Sequence, residues 1–168
     1  MSLYFLKRLS IFISFILIIV VLDQVTKSWV VSNFFVNESK PIIDGFFSFT
    51  YVRNPGAAFG FLANVSDTIR KPLIFVVPVL ACFLLVFFLK QVWRKNLILE
   101  IAYSMIFAGA VGNLIDRFSL NYVIDFLDFY YGTYHFPAFN VADSSISVAA
   151  GLLVLDFIIV SIKKRHEQ

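Results

Sequence analysis

The chain has 168 residues, of which 60% are hydrophobic and only 15% charged, with a mean hydropathy of +0.84; that balance excludes an ordinary soluble domain and marks a membrane protein. Its 14 Lys plus Arg against 11 Asp plus Glu leave a net charge of +3, too small an excess for a nucleic-acid footprint. At about 20 residues per crossing, four spans take roughly 80 residues and leave a similar number for loops, so the chain is expected to be one integral membrane domain.

The first apolar run, Leu9 to Leu22, follows Lys7 and Arg8 and resembles the core of a secretory signal. It lacks the small-residue cleavage site that such a signal carries. Asp23-Gln24-Val25-Thr26-Lys27 follows instead, and Trp29, Val30 and Val31 extend the pattern, so a retained span is predicted over 9–31. Next comes a strand-like stretch: Ile42 and Ile43, a turn at Asp44-Gly45, then Phe46 to Val52, rich in aromatic and β-branched residues. Arg53-Asn54-Pro55-Gly56-Ala57-Ala58-Phe59-Gly60 then reads as a tight, sterically bare turn that another chain or a lipid can approach closely. An ordinary surface loop has the same composition. Further spans are predicted over 73–89, 97–114 and 144–162. Cys82, alone inside the second of these, can form neither an intrachain disulfide nor a thiolate metal site and reads as an apolar filler.

Lys7 and Arg8 precede the first span, Lys90, Arg94 and Lys95 lie in the link after the second, and Lys163, Lys164 and Arg165 follow the fourth. By the positive-inside rule these place both termini and the 90–96 link in the cytoplasm, although Lys27, Arg70, Lys71 and Arg117 dilute the bias. The segments 32–72 and 115–143 then lie outside.

Carboxylates in or beside spans cost free energy and call for a reason. Asp23, Asp116, Asp125 and Asp143 all fall near the expected outer ends of spans, whereas Glu100 and Asp156 fall toward the cytoplasmic ends and read as interfacial or helix-paired. Antiparallel third and fourth spans bring Asp125 and Asp143 to one depth. Two carboxylates held close share a proton, which lets one act as general base toward water while the other donates to a substrate carbonyl. Helix capping is the competing explanation, because Asp143 sits three residues after Asn140, a candidate N-cap. In Ala108-Gly109-Ala110-Val111-Gly112-Asn113-Leu114-Ile115-Asp116-Arg117, the small residues permit close helix approach, and Asn113 and Arg117 share a face from which they can brace carboxylates. Asp116 can pair with a cation, yet it also rivals Asp125 for the catalytic role; spacing leaves that choice open. No His-Glu-x-x-His metal helix exists, and His135, set among Tyr130, Tyr131, Tyr134 and Phe136, has no Gly-x-Ser-x-Gly elbow to serve. Those aromatics read as an interfacial belt.

Five blocks together resemble the lipoprotein signal peptidases, the bacterial signal peptidase II family: Asp23 to Lys27, Asn54 to Gly60, Gly109 to Arg117, Val123 to Phe126, and Phe136 to Asp143. Their order and spacing fit over nearly the whole chain. The resemblance implies a four-transmembrane-helix bundle with a small extracytoplasmic β-structured cradle, in the cytoplasmic membrane of a bacterium. It implies a membrane aspartyl endopeptidase that removes signal peptides from prolipoproteins on the amino side of a diacylglyceryl-modified cysteine, and it favours the dyad over capping alone. The catalytic pair carries over to Asp125 and Asp143; Asp23, Asn54, Gly56, Asn113, Asp116, Arg117 and Asn140 inherit supporting or substrate-binding roles. Lipid-modified precursors and membrane lipid are the implied partners, no metal or other cofactor is implied, and a monomer is expected. Two rival classes are a proton-coupled transporter, which would place its acids near the midplane, and a noncatalytic scaffold, which would tolerate loss of either acid.

Overall fold

The computed structural model describes residues 3–56 and 65–166. The part of the Asn54 block from Ala57 to Gly60 lies outside the described residues. In chain order the elements are α1 (Leu3–Asn33), β1 (Ser39–Ile43), β2 (Phe47–Asn54), α2 (Asp67–Val92), α3 (Leu97–Leu120), β3 (Val123–Tyr131), β4 (Tyr134–His135) and α4 (Val141–His166). All four helices are long and apolar enough to cross a membrane.

Each helix except α3 at its start outruns the apolar stretch from which it was predicted. Apolarity ends where polar side chains begin, but a helix ends where its backbone is capped. Asn96 caps α3 by accepting from the Leu99 N–H at 3.2 Å, and α3 stops when Asn121 turns left-handed at φ 65° and returns its N–H to Arg117. Between these caps the helix carries Asn113, Asp116 and Arg117, all buried inside the protein. Pro72, expected just before a span, lies within α2.

α3 is the central helix and packs against α1, α2 and α4. Its small residues set how closely α4 and α1 come: a Cβ placed on Gly109 would lie 2.4 Å from the Ala142 carbonyl oxygen of α4, and one on Gly112 would lie 2.7 Å from Asp23 Oδ2 of α1. At the opposite end Arg8 of α1 meets Glu100 of α3 at 2.6 Å, and Asn96 donates to Asp156 of α4 at 2.7 Å. The bundle is thus fastened at both ends.

The strands form one antiparallel sheet in the order β1-β2-β3-β4. β1 begins earlier than the sequence suggests and β2 runs on to Asn54, while the turn between them centres on Gly45 at φ 76°. The β3–β4 hairpin was not foreseen as strand: the tract read as an aromatic belt forms part of it, with Tyr131 and Tyr134 exposed beside a turn that includes Gly132. β3 hid from pattern reading because Val123 to Phe126 are all buried, so no apolar–polar alternation marks them. Val30 of α1 and Phe34, just past its end, pack with Tyr51, Ile124 and Phe126, which seats the sheet on the end of α1.

Candidate active site

Strand periodicity places the first acid. Ile124 and Phe126 point into the core against α1, so their neighbours Val123 and Asp125 take the other face, where both line a cavity of about 560 Å³. Helix capping places the second. Asn140 precedes α4, and its Oδ1 accepts the Asp143 N–H at 2.9 Å, which holds Asp143 in the first turn and leaves its carboxylate on the same cavity wall. The two explanations offered for this residue are therefore compatible: Asn140 caps the helix, and the capped turn presents the acid.

Three asparagine amides address the carboxylates. Asn54 of β2 donates to Asp125 Oδ2 at 3.0 Å, Asn140 donates to Asp125 Oδ1 at 2.7 Å, and Asn113 of α3 donates to Asp143 Oδ1 at 2.8 Å. Among the described residues neither acid has a basic side chain in salt-bridge contact. Burial, followed by the Asp143 carboxylate beside it, pushes Asp125 up to about 7, against the opposing pull of its two amide donors and the more distant Lys27.

The remaining predicted residues occupy a layer around this pair. Gly56 donates its N–H to Asn54 Oδ1 at 3.0 Å, so the turn orients the amide that reaches Asp125. Arg117 lines the cavity; its guanidinium approaches the Gly56 carbonyl at 3.5 Å, a long contact, and its Nε is buried without a hydrogen-bond partner among the described residues. Asp23 accepts the Ala142 N–H at 2.9 Å, adding a second acceptor at the start of α4. Asp116, the rival to Asp125, accepts from Gln24 at 2.9 Å and from the Ile124 N–H at 3.0 Å and pairs with Lys27 at 2.9 Å. It anchors β3 to α3 and is not part of the cavity wall.

Two residues carry more than the sequence reading gave them. Lys27, which had counted only against the charge bias, is buried and pairs with Asp23 at 2.8 Å as well as with Asp116. Gln24 bridges Asp23 and Asp116. The available signal was the Asp23/Lys27 spacing of four in an otherwise apolar helix. His135 bonds Asp128 at 2.9 Å and stacks on Tyr130. It does not line the cavity.

The rest of the wall is apolar apart from Ser144 and Ser147. Phe136 to Phe139 form one side, strapped to β3 by paired backbone hydrogen bonds between Phe139 and Leu127 at 2.8 and 3.1 Å. Along α4 the wall continues through Ile146 to Val148, whose side chain belongs to the exposed apolar face of the helix. The cavity thus joins a pair of acids to a surface suited to hydrocarbon.

The family model described as Signal peptidase (SPase) II matches residues 15–159. A lipoprotein signal peptidase of Syntrophus aciditrophicus (strain SB) is 46% identical over 152 residues, covering 90% of this chain and 94% of that protein. Another, from Shewanella sediminis (strain HAW-EB3), is 43% identical over 155 residues, covering 90% of this chain and 85% of its own length. A solved bacterial membrane enzyme superposes with a TM-score of 0.79 at 31% identity over 92% of both chains. With a matching family model across most of its length and relatives this similar, the chain belongs to the signal peptidase II family.

Proposed function

We propose that this protein removes signal peptides from prolipoproteins, cleaving on the amino side of a diacylglyceryl-modified cysteine, with Asp125 and Asp143 as the catalytic dyad. The observation that carries this reading is one acid from β3 and one from α4 on a single cavity wall, each held by neutral amides. Two such carboxylates retain one proton between them. The ionised member removes a proton from water as the water oxygen adds to the scissile carbonyl carbon, and the protonated member gives its proton to the carbonyl oxygen. Collapse of the resulting diol breaks the C–N bond; the amine leaves with a proton returned from the dyad.

The apolar wall from Phe136 to Val148 suits a lipid-modified substrate. Acyl chains lying against α4 bury about 0.8 kcal/mol per CH₂, while the peptide passes the Asn54–Gly56 turn. In this reading the sheet and the dyad lie outside the cytoplasmic membrane and both termini lie inside, because Lys7, Lys90, Lys95, Lys163 and Lys164 fall at the other end of the bundle. The protein acts as a monomer and requires no cofactor.

The test is cleavage of a diacylglyceryl-modified precursor by the purified protein in detergent, beside the same precursor without lipid. Rapid cleavage of the modified form alone is expected. Equal cleavage of both would overturn the lipid half of the reading. A cysteine introduced at Ser39 should react with an impermeant thiol reagent on intact cells and one at Asn96 should not; the reverse pattern would invert the orientation.

A further inference from the structure

Lys27 is 1% exposed and lies behind the cavity rather than on its wall, so it is out of reach of a bound substrate. Its ammonium group has three N–H donors and three acceptors: Asp23 Oδ2 at 2.8 Å, Asp116 Oδ2 at 2.9 Å and Asn113 Oδ1 at 3.0 Å. The first two bonds join α1 to α3. The third decides how an amide points. An asparagine side chain has a donor end and an acceptor end of nearly the same shape, whereas lysine only donates. Oδ1 of Asn113 must therefore face Lys27, and its NH₂ must face Asp143, where it donates at 2.8 Å. Asn140 adds to the same polarity, donating to Asn113 Oδ1 at 3.2 Å and to Asp125 Oδ1 at 2.7 Å. A single cation thus stands at the head of a chain of oriented hydrogen bonds that ends on both acids.

We propose that Lys27 is a positioning residue of the proteolytic site, acting through Asn113 to fix an N–H donor on Asp143 and, through the same amide and Asn140, to set the geometry of the pair. This rests on the dyad reading given above. The charges that face Lys27 are Asp23 of its own helix, Asp116 of α3, Asp125 of β3 and Asp143 of α4, and Arg117 of α3 faces the last three of these acids as well. The field of Lys27 favours ionisation of Asp125, so its removal shifts loss of the last shared proton to higher pH.

The experiment compares Lys27→Met, which removes donor and charge, with Lys27→Gln, which keeps an N–H donor without the charge. Both are made in the full chain and assayed on a diacylglyceryl-modified precursor per folded enzyme. For Lys27→Met, kcat is expected to fall roughly 10- to 100-fold, the scale of a small misplacement in an active site. KM should stay within about twofold, since the side chain does not line the cavity. The basic limb of the kcat–pH profile should move upward. Lys27→Gln should recover part of kcat but not the position of that limb. In an Asn113→Ala background Lys27→Met should cost little more, because two residues acting in series are not additive.

An unchanged kcat and pH profile in Lys27→Met, or losses that simply add to those of Asn113→Ala, would overturn the proposal. Should Lys27→Met not accumulate, Lys27→Met combined with Asp116→Asn restores charge balance and is read in the same way. If none of these proteins folds, Lys27 serves folding alone and the proposal is again overturned. The dyad reading has its own control. Turnover surviving in Asp125→Asn or Asp143→Asn would sink that reading whatever Lys27 does, whereas inert dyad variants beside a fully active Lys27→Met would sink only this inference.

Discussion

The two ends of the helix bundle both bury acids, and they treat them differently. Away from the sheet, Glu100 is fully buried yet paired with Arg8 and also accepts the backbone N–H of Arg94, while Asp156 accepts from Asn96. Toward the sheet, the buried cation Lys27 is engaged by Asp23 and Asp116, and the two acids on the cavity receive neutral amide donors instead. A buried acid with a cation beside it has its charge matched and fastens helices together. Two acids with no basic side chain in salt-bridge contact among the described residues, side by side on open space, resist ionising together, which is the condition for sharing a proton.

The sharpest way to break this contrast is to neutralise either acid of the cavity pair. Asp125→Asn or Asp143→Asn should lower turnover of a lipid-modified precursor by more than about 10³-fold, in the upper range for loss of a general acid or base, while folded protein still accumulates. Near-normal turnover in either variant would reduce the two ends to the same kind of structural cluster.

A smaller effect is expected from Gly112→Ala. The new Cβ would sit 2.7 Å from Asp23 Oδ2 and displace the acceptor from the start of α4, so turnover should drop roughly 10-fold or more as Asp143 shifts. A Gly112→Ala protein with unimpaired kcat would show that Asp143 does not depend on this close approach.

The shared proton also has a pH signature. With Asp125 pushed up to about 7, the pair keeps its shared proton below that pH and loses it above, so the proton donor disappears and kcat should fall as pH rises through about 7. A profile flat from pH 6 to 9 under conditions where chemistry limits turnover would contradict the shared proton. Glu100→Gln gives the opposite signature. It should destabilise the fold by roughly 2 to 3 kcal/mol, less than for a fully buried pair, because the Arg8 side chain is 25% exposed. Its kcat per folded molecule should remain within a few-fold. The smallest effect is expected from His135→Asn: turnover should change less than about threefold, since the imidazole hydrogen-bonds to Asp128 and does not line the cavity. A large loss would revive a histidine-assisted reading.

The apolar runs by themselves determined that four long helices would form, because about 20 consecutive apolar residues leave a chain few other ways to satisfy its backbone in a bilayer. The candidate acids were also legible, since charge in such runs is rare enough to stand out. What the sequence left open was the use of each polar group. By spacing Asp116 and Asp125 were equivalent candidates and only the resemblance chose between them; the fold separates them physically, anchoring one to Lys27, Gln24 and the Ile124 N–H and setting the other on a cavity. Asn140 and Asp143 matched a capping pattern and a catalytic one, and in the fold Asn140 caps α4 while Asp143 still faces the cavity, so the first does not exclude the second. Lys27 looked like a misplaced charge until α3 supplied its partners. β3 passed unread because burial erased its alternation. Local pattern fixes where hydrocarbon and backbone can go, but a carboxylate's chemistry depends on which donors and charges stand within a few ångströms of it. For Asp125 those neighbours come from β2, from α4 and its cap, and from residues dozens of positions away in the chain, and only the tertiary structure brings them together.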